Sequence, residues 1–190
     1  MERRPDRRVT KTRKSLMSAF TRLMFERGYE NFTVADIVDS ANVGRSTFYA
    51  HFTDREDILR ECMARFFAVI ASTVSAEIIP AQLTGVLEHL MQNRRLIDVI
   101  FTGRPRIVLF KAMGSLVRTN LDLVAKPGSW LLSPVLISAQ ISDAQMTLVE
   151  SWLRGRAHAS SDAMAEAIHR STRAMVQSMQ VEIHPAAQQN

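Results

Sequence analysis

The 190-residue chain is poor in cysteine and has no long apolar run. Its one cysteine, Cys62, excludes a disulfide framework within the chain and favours a reducing compartment. The longest uncharged run, residues 127–142, contains Pro127 and Pro134 and is too broken to be a membrane span. The first residues, MERRPDRRVTKTRK, are charged and lack the apolar core of a secretory signal. We therefore expect a cytoplasmic protein without a membrane segment.

The sequence also lacks the residue arrangements that catalysis and metal binding need. Its five histidines are scattered, and none stands at metal-ligand spacing from a carboxylate or from the cysteine. The chain has no nucleophile elbow, no phosphate-cradling glycine loop and no close pair of carboxylate and histidine. We expect no metal, no cofactor and no enzymatic activity.

Composition and charge limit the remaining possibilities. Hydrophobic residues make up 46% of the chain, which suffices for one sizeable core or for a small module attached to a larger one. The net charge of +5 and the sequence pI of about 10.0 favour a polyanionic partner. A surplus of this size is also compatible with ordinary solubility charge.

Hydrophobic periodicity predicts an all-α fold of about nine helices, because no segment shows strand alternation between hairpin turns. Proline, glycine and capping residues separate the helices. The predicted helices cover about 10–27, 34–40, 44–51, a long segment that a capping box at 53–56 opens and Pro80 ends, then 81–92, 94–101, 105–125, 134–154 and 162–181.

The second and third helices have the pattern of a helix-turn-helix. Thr33 and Asp36 stand at the cap and third positions of a capping box, so the second helix begins after Thr33. Asn42 can adopt the positive φ that the tight turn requires. Apolar side chains of the third helix, including Phe48, can pack against the first two helices, which leaves its polar side chains outside. Similar short helix pairs also occur in proteins that bind no nucleic acid.

The polar side chains of the third helix suit duplex DNA. Arg45 can present two donors to a guanine edge or a phosphate, and the hydroxyls of Ser46 and Thr47 can bond to bases or to the backbone. Tyr49 and His51 offer donors that reach phosphate oxygens. We therefore expect this helix to be the reading element.

Further phosphate contacts are expected around this helix. Thr33 and the free N–H groups at the start of the second helix form one seat, and Arg55 at the start of the fourth helix supplies another. Residues 1–14 hold seven basic side chains against Glu2 and Asp6. This run suits a flexible arm along phosphates or in a minor groove, and a merely solvated tail is the alternative.

The stretch from Thr12 to Leu59, above all GYENFTVADIVDSANVGRSTFYAHFTDREDIL, resembles the N-terminal DNA-binding domain of the TetR family of transcriptional regulators. The resemblance implies that Thr33, Tyr49, His51 and Arg55 hold phosphates, while Arg45, Ser46 and Thr47 face bases. Gly44 departs from the family pattern, because it stands where a serine commonly caps the recognition helix. This departure leaves the helix start looser or allows a closer approach to the DNA backbone.

The same resemblance implies two domains, with a DNA-binding domain at 1–52 and a helical regulatory and dimerisation domain at 53–190. It implies a small-molecule inducer pocket in the middle helices, for which the apolar candidates are Phe66, Phe67, Ile70, Leu87, Met91, Phe101, Phe110, Met113 and Trp130. These methionine and aromatic residues fill an ordinary core equally well.

One recognition helix covers only a few base pairs, so a dimer is expected. TetR-like proteins usually dimerise through their last two helices, where the candidate interface residues are Ile137, Ile141, Leu148, Trp152, Met164, Ile168 and Met175. The small residues Ala144, Ala167, Ser171 and Ala174 would allow close helix packing. The implied function is a homodimeric repressor that binds a palindromic operator and is released by a small hydrophobic ligand. The alternative is a DNA-binding protein of the same fold that answers to a protein partner, or organises DNA, without an inducer.

Overall fold

The structure, a computed structural model, describes residues 7–124 and 129–181, and within these ranges the chain forms α-helices and no strand. The predicted all-α fold is confirmed. The helices of the described ranges are α1 (Arg7–Arg27), α2 (Val34–Ala41), α3 (Arg45–Tyr49), α4 (Arg55–Ala71), α5 (Leu83–Gln92), α6 (Ile97–Ile100), α7 (Gly103–Val124), α8 (Pro134–Leu153) and α9 (Ser161–Met179), with single 3₁₀ turns at Tyr29–Asn31, Ser72–Val74 and Arg94–Leu96. No helix in the described ranges has the length and apolar character needed to cross a membrane.

The chain divides into two compact units. The first unit comprises residues 1–64 and 95–109, and the second comprises residues 65–94 and 110–190. The division falls inside α4 and inside α7. The functional boundary after residue 52 stays a prediction.

The core of the first unit forms where α1 meets the segment that follows it. Apolar side chains at three- and four-residue spacing, among them Leu16 and Phe20, give α1 one fully buried face. Gly28 ends the helix with φ 75°, a conformation that an L side chain rarely adopts. The chain then turns Tyr29 and Phe32 back against Phe20, with edge-to-face ring pairs at 6.3 and 5.5 Å between centroids.

The predicted capping box and turn of the second helix are present. The hydroxyl of Thr33 accepts a hydrogen bond from the Asp36 N–H at 3.3 Å, and the Asp36 carboxylate accepts one from the Thr33 N–H at 2.8 Å. Asn42 ends α2 with φ 52° and ψ 51° in the left-handed region. The asparagine therefore performs the turn that glycine commonly provides.

The fourth helix ends earlier than the sequence pattern predicted. It stops at Ala71 rather than at Pro80, and a 3₁₀ turn follows. The hydroxyls of Ser72, Thr73 and Ser75 donate to backbone carbonyls three residues earlier, at 2.7, 2.7 and 3.3 Å. Such local bonds compete with the α-helical ladder, which accounts for a termination that proline does not cause.

The start of the fourth helix is also displaced by one residue from the predicted box. Asp54, rather than Thr53, is the capping residue, because its carboxylate accepts from the Asp57 N–H at 2.7 Å. The Asp57 carboxylate in turn accepts from the Thr53 N–H at 3.0 Å. Two carboxylates in the first turn suit the positive end of the helix dipole.

Candidate nucleic-acid interface

Helix α3 separates its apolar and polar side chains sharply. Phe48 is 0% exposed, whereas Tyr49 is 54% exposed, and the two rings meet edge to face at 5.3 Å. Arg45 and Ser46 are also exposed, and Thr47 and His51 are partly buried. The α-helical bonding of α3 is shorter than the predicted 44–51, although backbone bonds to Phe48 from His51 and Phe52, both at 2.9 Å, continue the turn. The predicted outward face therefore exists as a surface of this unit.

A second aromatic residue holds the end of this turn. Phe52 is 2% exposed, and its ring lies 5.8 Å from that of Phe48. The Arg13 guanidinium lies 4.7 Å above the Phe52 ring and donates to the Glu61 carboxylate at 3.3 Å and to the His51 carbonyl at 3.4 Å. These contacts tie α3 to α1 and α4. Arg13, predicted to lie in the basic arm of residues 1–14, is therefore held within the unit by contacts that the sequence did not indicate.

Gly44 caps α3 without a side-chain hydrogen bond and has ordinary φ, −72°. A Cβ placed on it would meet the hydroxyl oxygens of Thr47 and Ser46 at 3.7 and 3.8 Å, which is normal van der Waals contact. Neither backbone strain nor packing within the unit requires glycine at this position. Its bare backbone leaves the start of α3 open to an approaching surface.

Thr33, predicted to contact a phosphate, already uses its hydrogen-bond donors within the protein. The Thr33 hydroxyl also donates to the Asp36 carboxylate at 2.6 Å, so both the N–H and the O–H of this residue are directed at Asp36. The Arg27 guanidinium donates to the same carboxylate at 2.9 Å. The hydrogen bonds from Thr33, assisted by Arg27, lower the pKa of Asp36 to about 2. The N–H groups of the first turn of α2 remain as donors for an anion.

Arg55 has a structural role that the sequence pattern did not reveal. Its guanidinium donates to the Tyr29 carbonyl at 2.8 Å and to the Phe32 carbonyl through the same nitrogen. It also lies 4.7 Å from the centroid of the Tyr29 ring and 5.5 Å from that of Phe32. Burial raises the pKa of Tyr29, and the Arg55 charge partly opposes the shift. Arg55 therefore fastens the loop between α1 and α2 to α4, and its phosphate contact stays a prediction.

The basic run at the start of the chain is partly helical. Helix α1 begins at Arg7, earlier than predicted, and Arg8, Lys11 and Lys14 are exposed along its first turns. The remaining basic residues of the predicted arm, Arg3 and Arg4, lie outside the described residues.

A segment predicted to be regulatory belongs to the first unit. Arg104, near the start of α7, donates through Nε to the Glu56 carboxylate at 2.6 Å, and Glu56 also lies 3.9 Å from Arg60. The Glu56 carboxylate raises the pKa of Arg104. No local sequence signal could have linked these residues, because 48 positions separate Arg104 from Glu56.

The candidate pocket residues are divided between the units. Phe101 lies in the first unit, and the other eight lie in the second. Phe67, Ile70, Leu87 and Met113 are at most 3% exposed, so they form core, while the others of the second unit are partly buried. Trp130 lies in a segment whose backbone pairs with Gln180 after α9. Within the described residues no group of histidine, cysteine and acidic side chains could hold a metal ion.

The second unit also contains an open groove of about 690 Å³ between α7 and α8. Of the predicted pocket residues it includes Phe110. The groove is lined by Phe110, Lys111, Gly114, Ser115, Arg118, Val135, Ser138, Ala139, Ser142 and Asp143. This groove lies elsewhere than the pocket that the apolar pattern predicted. The polar residues of α8 that line it, Ser138, Ser142 and Asp143, were not among the predicted pocket residues.

Most of the candidate interface residues are core within a single chain. Ile137, Ile141, Trp152, Met164 and Ile168 are at most 5% exposed, and only Leu148 and Met175 are partly accessible. The apolar stripes therefore face inward, as large side chains do where helices bury area within a unit. The small residues Ala144, Ala167, Ser171 and Ala174 are all exposed.

The segment that contains the helix-turn-helix is similar to known bacterial regulators. Residues 16–62 match the family model "Bacterial regulatory proteins, tetR family". The chain is 32% identical over 127 residues to the uncharacterized HTH-type transcriptional regulator YxbF of Bacillus subtilis (strain 168), a match that covers 60% of this chain and 33% of the relative. It is 31% identical over 77 residues to the HTH-type transcriptional repressor DhaR of Mycobacterium sp. (strain GP1), covering 40% of this chain and 39% of that protein. The matches thus span about a third of the length of these relatives.

The fold is shared with solved structures. A TetR transcriptional regulator from Streptococcus agalactiae superimposes with a TM-score of 0.55 at 22% identity, covering 88% of this chain and 96% of that one. At this identity the likeness establishes the fold of the described chain and leaves its ligand and partners to be derived from its own residues.

Proposed function

Since the chain belongs to the TetR family of transcriptional regulators, we propose that it is a homodimeric repressor that binds a palindromic operator and is released by a small ligand. The observation that carries the DNA-binding part is the outward face of α3, where Arg45, Ser46 and Tyr49 are exposed above the buried Phe48. The repressor direction is supported by the name of one relative, the repressor DhaR. Its place of action is the cytoplasm.

The side chains of α3 and of the turn after it contact two different parts of the DNA, the bases and the phosphates. Arg45, Ser46 and Thr47 read base edges in the major groove, while Gly44 lets the backbone approach closely. Tyr49 and His51 hold phosphates on either side. The first-turn N–H groups of α2, next to Thr33, and the remaining guanidinium donors of Arg55 add phosphate contacts.

The second copy binds through the exposed faces of α8 and α9 and leaves their buried stripes in place. On α9 the small residues Ala163, Ala167, Ser171, Ala174 and Ser178 are exposed and recur at three- and four-residue spacing. Side chains of this size let helix axes approach closely, as an intersubunit four-helix bundle requires. On α8, Val135 and Leu136 are 60% and 58% exposed and offer apolar area to a partner.

Release follows from a shift between two forms. Two recognition helices enter successive major grooves only when they lie about 34–36 Å apart. In a second form of the dimer, the recognition helices lie at a different distance from each other. A ligand that binds the second unit more tightly in this form shifts the population toward it and so lowers the affinity for DNA. Helix α4 can carry this preference, because the division between the two units falls within it.

Footprinting on the region upstream of the protein's own gene, at two salt concentrations, tests the DNA-binding roles. Arg45→Ala should relax preference at particular bases and cost about 1–3 kcal/mol of binding. Tyr49→Phe should weaken all sequences similarly. Thr119→Ala, on the exposed surface of α7, is the matched control and should change neither property. Equal losses from the first two variants would mean that the roles are assigned wrongly.

Light scattering tests the proposed dimer. Ala167→Glu places a charge within the small stripe of α9 and should convert a dimer into a monomer that retains its helical content. Ala81→Glu, in an exposed turn of the same unit, should leave the dimer intact. A wild-type chain that is monomeric at micromolar concentration contradicts the proposal.

The second candidate function keeps DNA binding and replaces the small ligand with a protein partner or with DNA organisation. The exposed apolar side chains Leu131, Leu132, Val135 and Leu136 favour it, because such a patch suits a protein surface. A thermal-shift panel of hydrophobic compounds distinguishes the two functions. A ligand-responsive protein is stabilised by some compounds, whereas a filled core is stabilised by none.

A further inference from the structure

The end of α4 needs a second cause besides its own hydroxyl groups. Residues 72–79, STVSAEII, contain neither proline nor glycine, yet the α-helix stops at Ala71. Three hydroxyls of this stretch donate to carbonyls three residues earlier. In α8, Ser138 and Ser142 make bonds of the same kind at 2.9 and 3.1 Å, and that helix runs on to Leu153. Local hydroxyl bonds therefore weaken the α-helical ladder, but a further interaction must act with them at Ala71.

A glutamine of α8 supplies that interaction. Gln145 is 2% exposed, and its Nε2 donates to the Thr73 hydroxyl oxygen at 2.9 Å and, over 3.5 Å, to the Ile70 carbonyl. The Thr73 hydroxyl donates to the same carbonyl at 2.7 Å. In a continuing α-helix the Ile70 carbonyl would accept from the N–H four residues later. Two side chains therefore compete for the carbonyl that the next α-helical turn would use.

The same amide joins the end of α4 to α9. Its Nε2 also donates to the Thr172 hydroxyl oxygen of α9 at 3.0 Å. His169, one turn earlier on α9, places its Nε2 3.1 Å from the carbonyl of Ala76. The segment after α4 is thus held by α8 and α9, the two helices whose exposed faces carry the proposed dimer surface.

The turn that is held in this way differs in geometry from an α-helical turn. Ser72–Val74 form a 3₁₀ turn, with a rise of about 2.0 Å and a rotation of about 120° per residue, against about 1.5 Å and about 100° in an α-helix. Converting these three residues would shorten the stretch by about 1.5 Å and rotate the following chain by about 60°. Thr73 and Val74 are both 0% exposed, so their surroundings would have to repack. The end of α4 therefore determines how this helix leaves α8 and α9.

The hydrogen bonding of Gln145 is incomplete, which argues for a role beyond stability. Its Oε1 is buried and has no hydrogen-bond partner among the described residues. An unpaired buried acceptor destabilises the fold, and an apolar side chain of similar shape would avoid this loss. Removing the amide deletes the bonds of Nε2 and the unpaired oxygen together. Because these two changes act in opposite directions, the melting temperature should change little.

From these contacts we propose that Gln145 is a positioning residue for DNA binding: its amide makes α4 stop at Ala71, and without it α4 continues into residues 72–75 and the affinity for DNA falls. Helix α4 carries the effect because its residues are divided between the two units. Two recognition helices must keep a spacing of about 34–36 Å, and a changed end of α4 alters that spacing. The inference rests on the proposed function, which supplies the dimer and the DNA site.

NMR spectroscopy of the full-length chain without DNA tests the helix end. In Gln145→Met, which keeps the side-chain volume, the Cα shifts of residues 73–75 should move to α-helical values. Ser72→Ala removes a local hydroxyl bond and keeps the amide, so it should leave these shifts unchanged. Gln140→Met, on the exposed side of α8, is the matched control and should also leave them unchanged.

A glutamine with a purely structural role would lower the melting temperature on removal and leave α4 at its present length. Unchanged shifts in folded Gln145→Met, or a move to irregular values, therefore overturn the proposal. If Gln145→Met does not fold, Thr73→Val decides, because it removes the shorter of the two bonds between the amide and the end of α4. Helical shifts at residues 74 and 75 are then expected, and unchanged shifts overturn the proposal.

Gel shift with the duplex upstream of the protein's own gene measures the effect on DNA binding. Gln145→Met should bind this duplex about 2- to 30-fold more weakly at a nearly unchanged melting temperature, and Gln140→Met should bind it like the wild type. A lengthened α4 with unchanged affinity overturns the proposal. If the wild-type chain binds no duplex, the proposed function fails, and the Cα shifts still decide whether Gln145 sets the end of α4.

Discussion

The two units differ in where they keep their polar side chains. All six buried polar residues of the described chain, Thr73, Ser138, Ser142, Gln145, His169 and Thr172, lie in the second unit. The buried side chains described in the first unit are apolar or aromatic, and two of its arginines, Arg13 and Arg55, are held at its edges by a carboxylate, carbonyls and aromatic rings. Apart from the phenol of Tyr29, buried hydrogen-bonding side chains among the described residues are thus confined to the second unit.

This difference suits two kinds of recognition. A unit that contacts DNA needs a rigid apolar interior, so that a short helix such as α3 holds its side chains in a fixed direction. A unit that recognises a small molecule benefits from buried polar atoms, because a buried donor or acceptor that a wrong ligand leaves unpaired costs free energy. Removing a side-chain hydroxyl or guanidinium group should therefore lower DNA affinity where the group faces outward and lower the free energy of unfolding where it is bound inside a unit.

The largest expected effect comes from the core of the first unit. Phe48→Ala should lower the free energy of unfolding by about 3–5 kcal/mol, because Phe48 is fully buried beneath α3. Urea unfolding followed by circular dichroism measures the loss, and operator binding should disappear with it. Phe48→Leu, which retains most of the volume, should lose much less. A small loss for Phe48→Ala would mean that α3 is not held by this core.

The next effect distinguishes an arginine bound within the unit from one that faces outward. Arg55→Met keeps the apolar stem but leaves the carbonyls of Tyr29 and Phe32 without this donor, which should destabilise the chain by about 1–3 kcal/mol. Arg45→Met should leave stability unchanged, because Arg45 is exposed. Chemical denaturation compares the two variants.

The salt dependence of DNA binding then separates the two proposed roles of Arg55. If Arg55 also holds a phosphate, Arg55→Met should reduce the magnitude of the negative slope of log affinity against log salt concentration by about 1. An unchanged slope would remove Arg55 from the DNA surface and leave it as a structural residue only.

A smaller contrast compares hydroxyl groups inside and outside. Thr172→Val preserves shape but removes an acceptor of Gln145 in the interior of the second unit, so we expect a loss of about 1–3 kcal/mol in stability with DNA affinity unchanged. Ser46→Ala removes an exposed hydroxyl of α3 and should change DNA affinity with stability unchanged. Denaturation and gel shift on both variants provide the comparison. If Thr172→Val is as stable as the wild type, the interior amide is not held as described.

These contrasts also explain how much the sequence could reveal. The first unit was largely predictable, because its signals are local: Gly28 and Asn42 mark turns, Thr33 and Asp36 mark a helix start, and Phe48 repeats with the inner face of α3. The resemblance to a known family rests on the same short stretch. The sequence did not indicate the long-range contacts of the first unit, such as the stacking of Arg13 on Phe52.

The second unit was predictable in its helices but not in its faces. Large apolar residues such as Ile137 and Ile168 were expected at an interface, yet they fill the interior of the unit. A helix whose two sides both carry apolar or small residues does not reveal by periodicity which side faces its own chain. Gln145 carried one usable signal, a polar residue in an apolar helix, but its partners Thr73 and Thr172 are distant in sequence.

The smallest predicted effect concerns the capping box at the surface of the first unit. The folded-state pKa of Asp36, about 2, lies below its ordinary value of 3.8, so the ionised box stabilises the fold above pH 3.8 and this contribution is lost as pH falls toward 2. The hydrogen bond from the Thr33 hydroxyl is the largest cause, so Thr33→Val should move the pKa toward 3.8. Carboxyl-carbon NMR titration of both chains measures the difference, with Asp39, which is exposed and outside the box, as the internal reference. An Asp36 midpoint that is the same in both chains would mean that Thr33 does not hold the carboxylate, and its hydroxyl would then be available to a DNA phosphate.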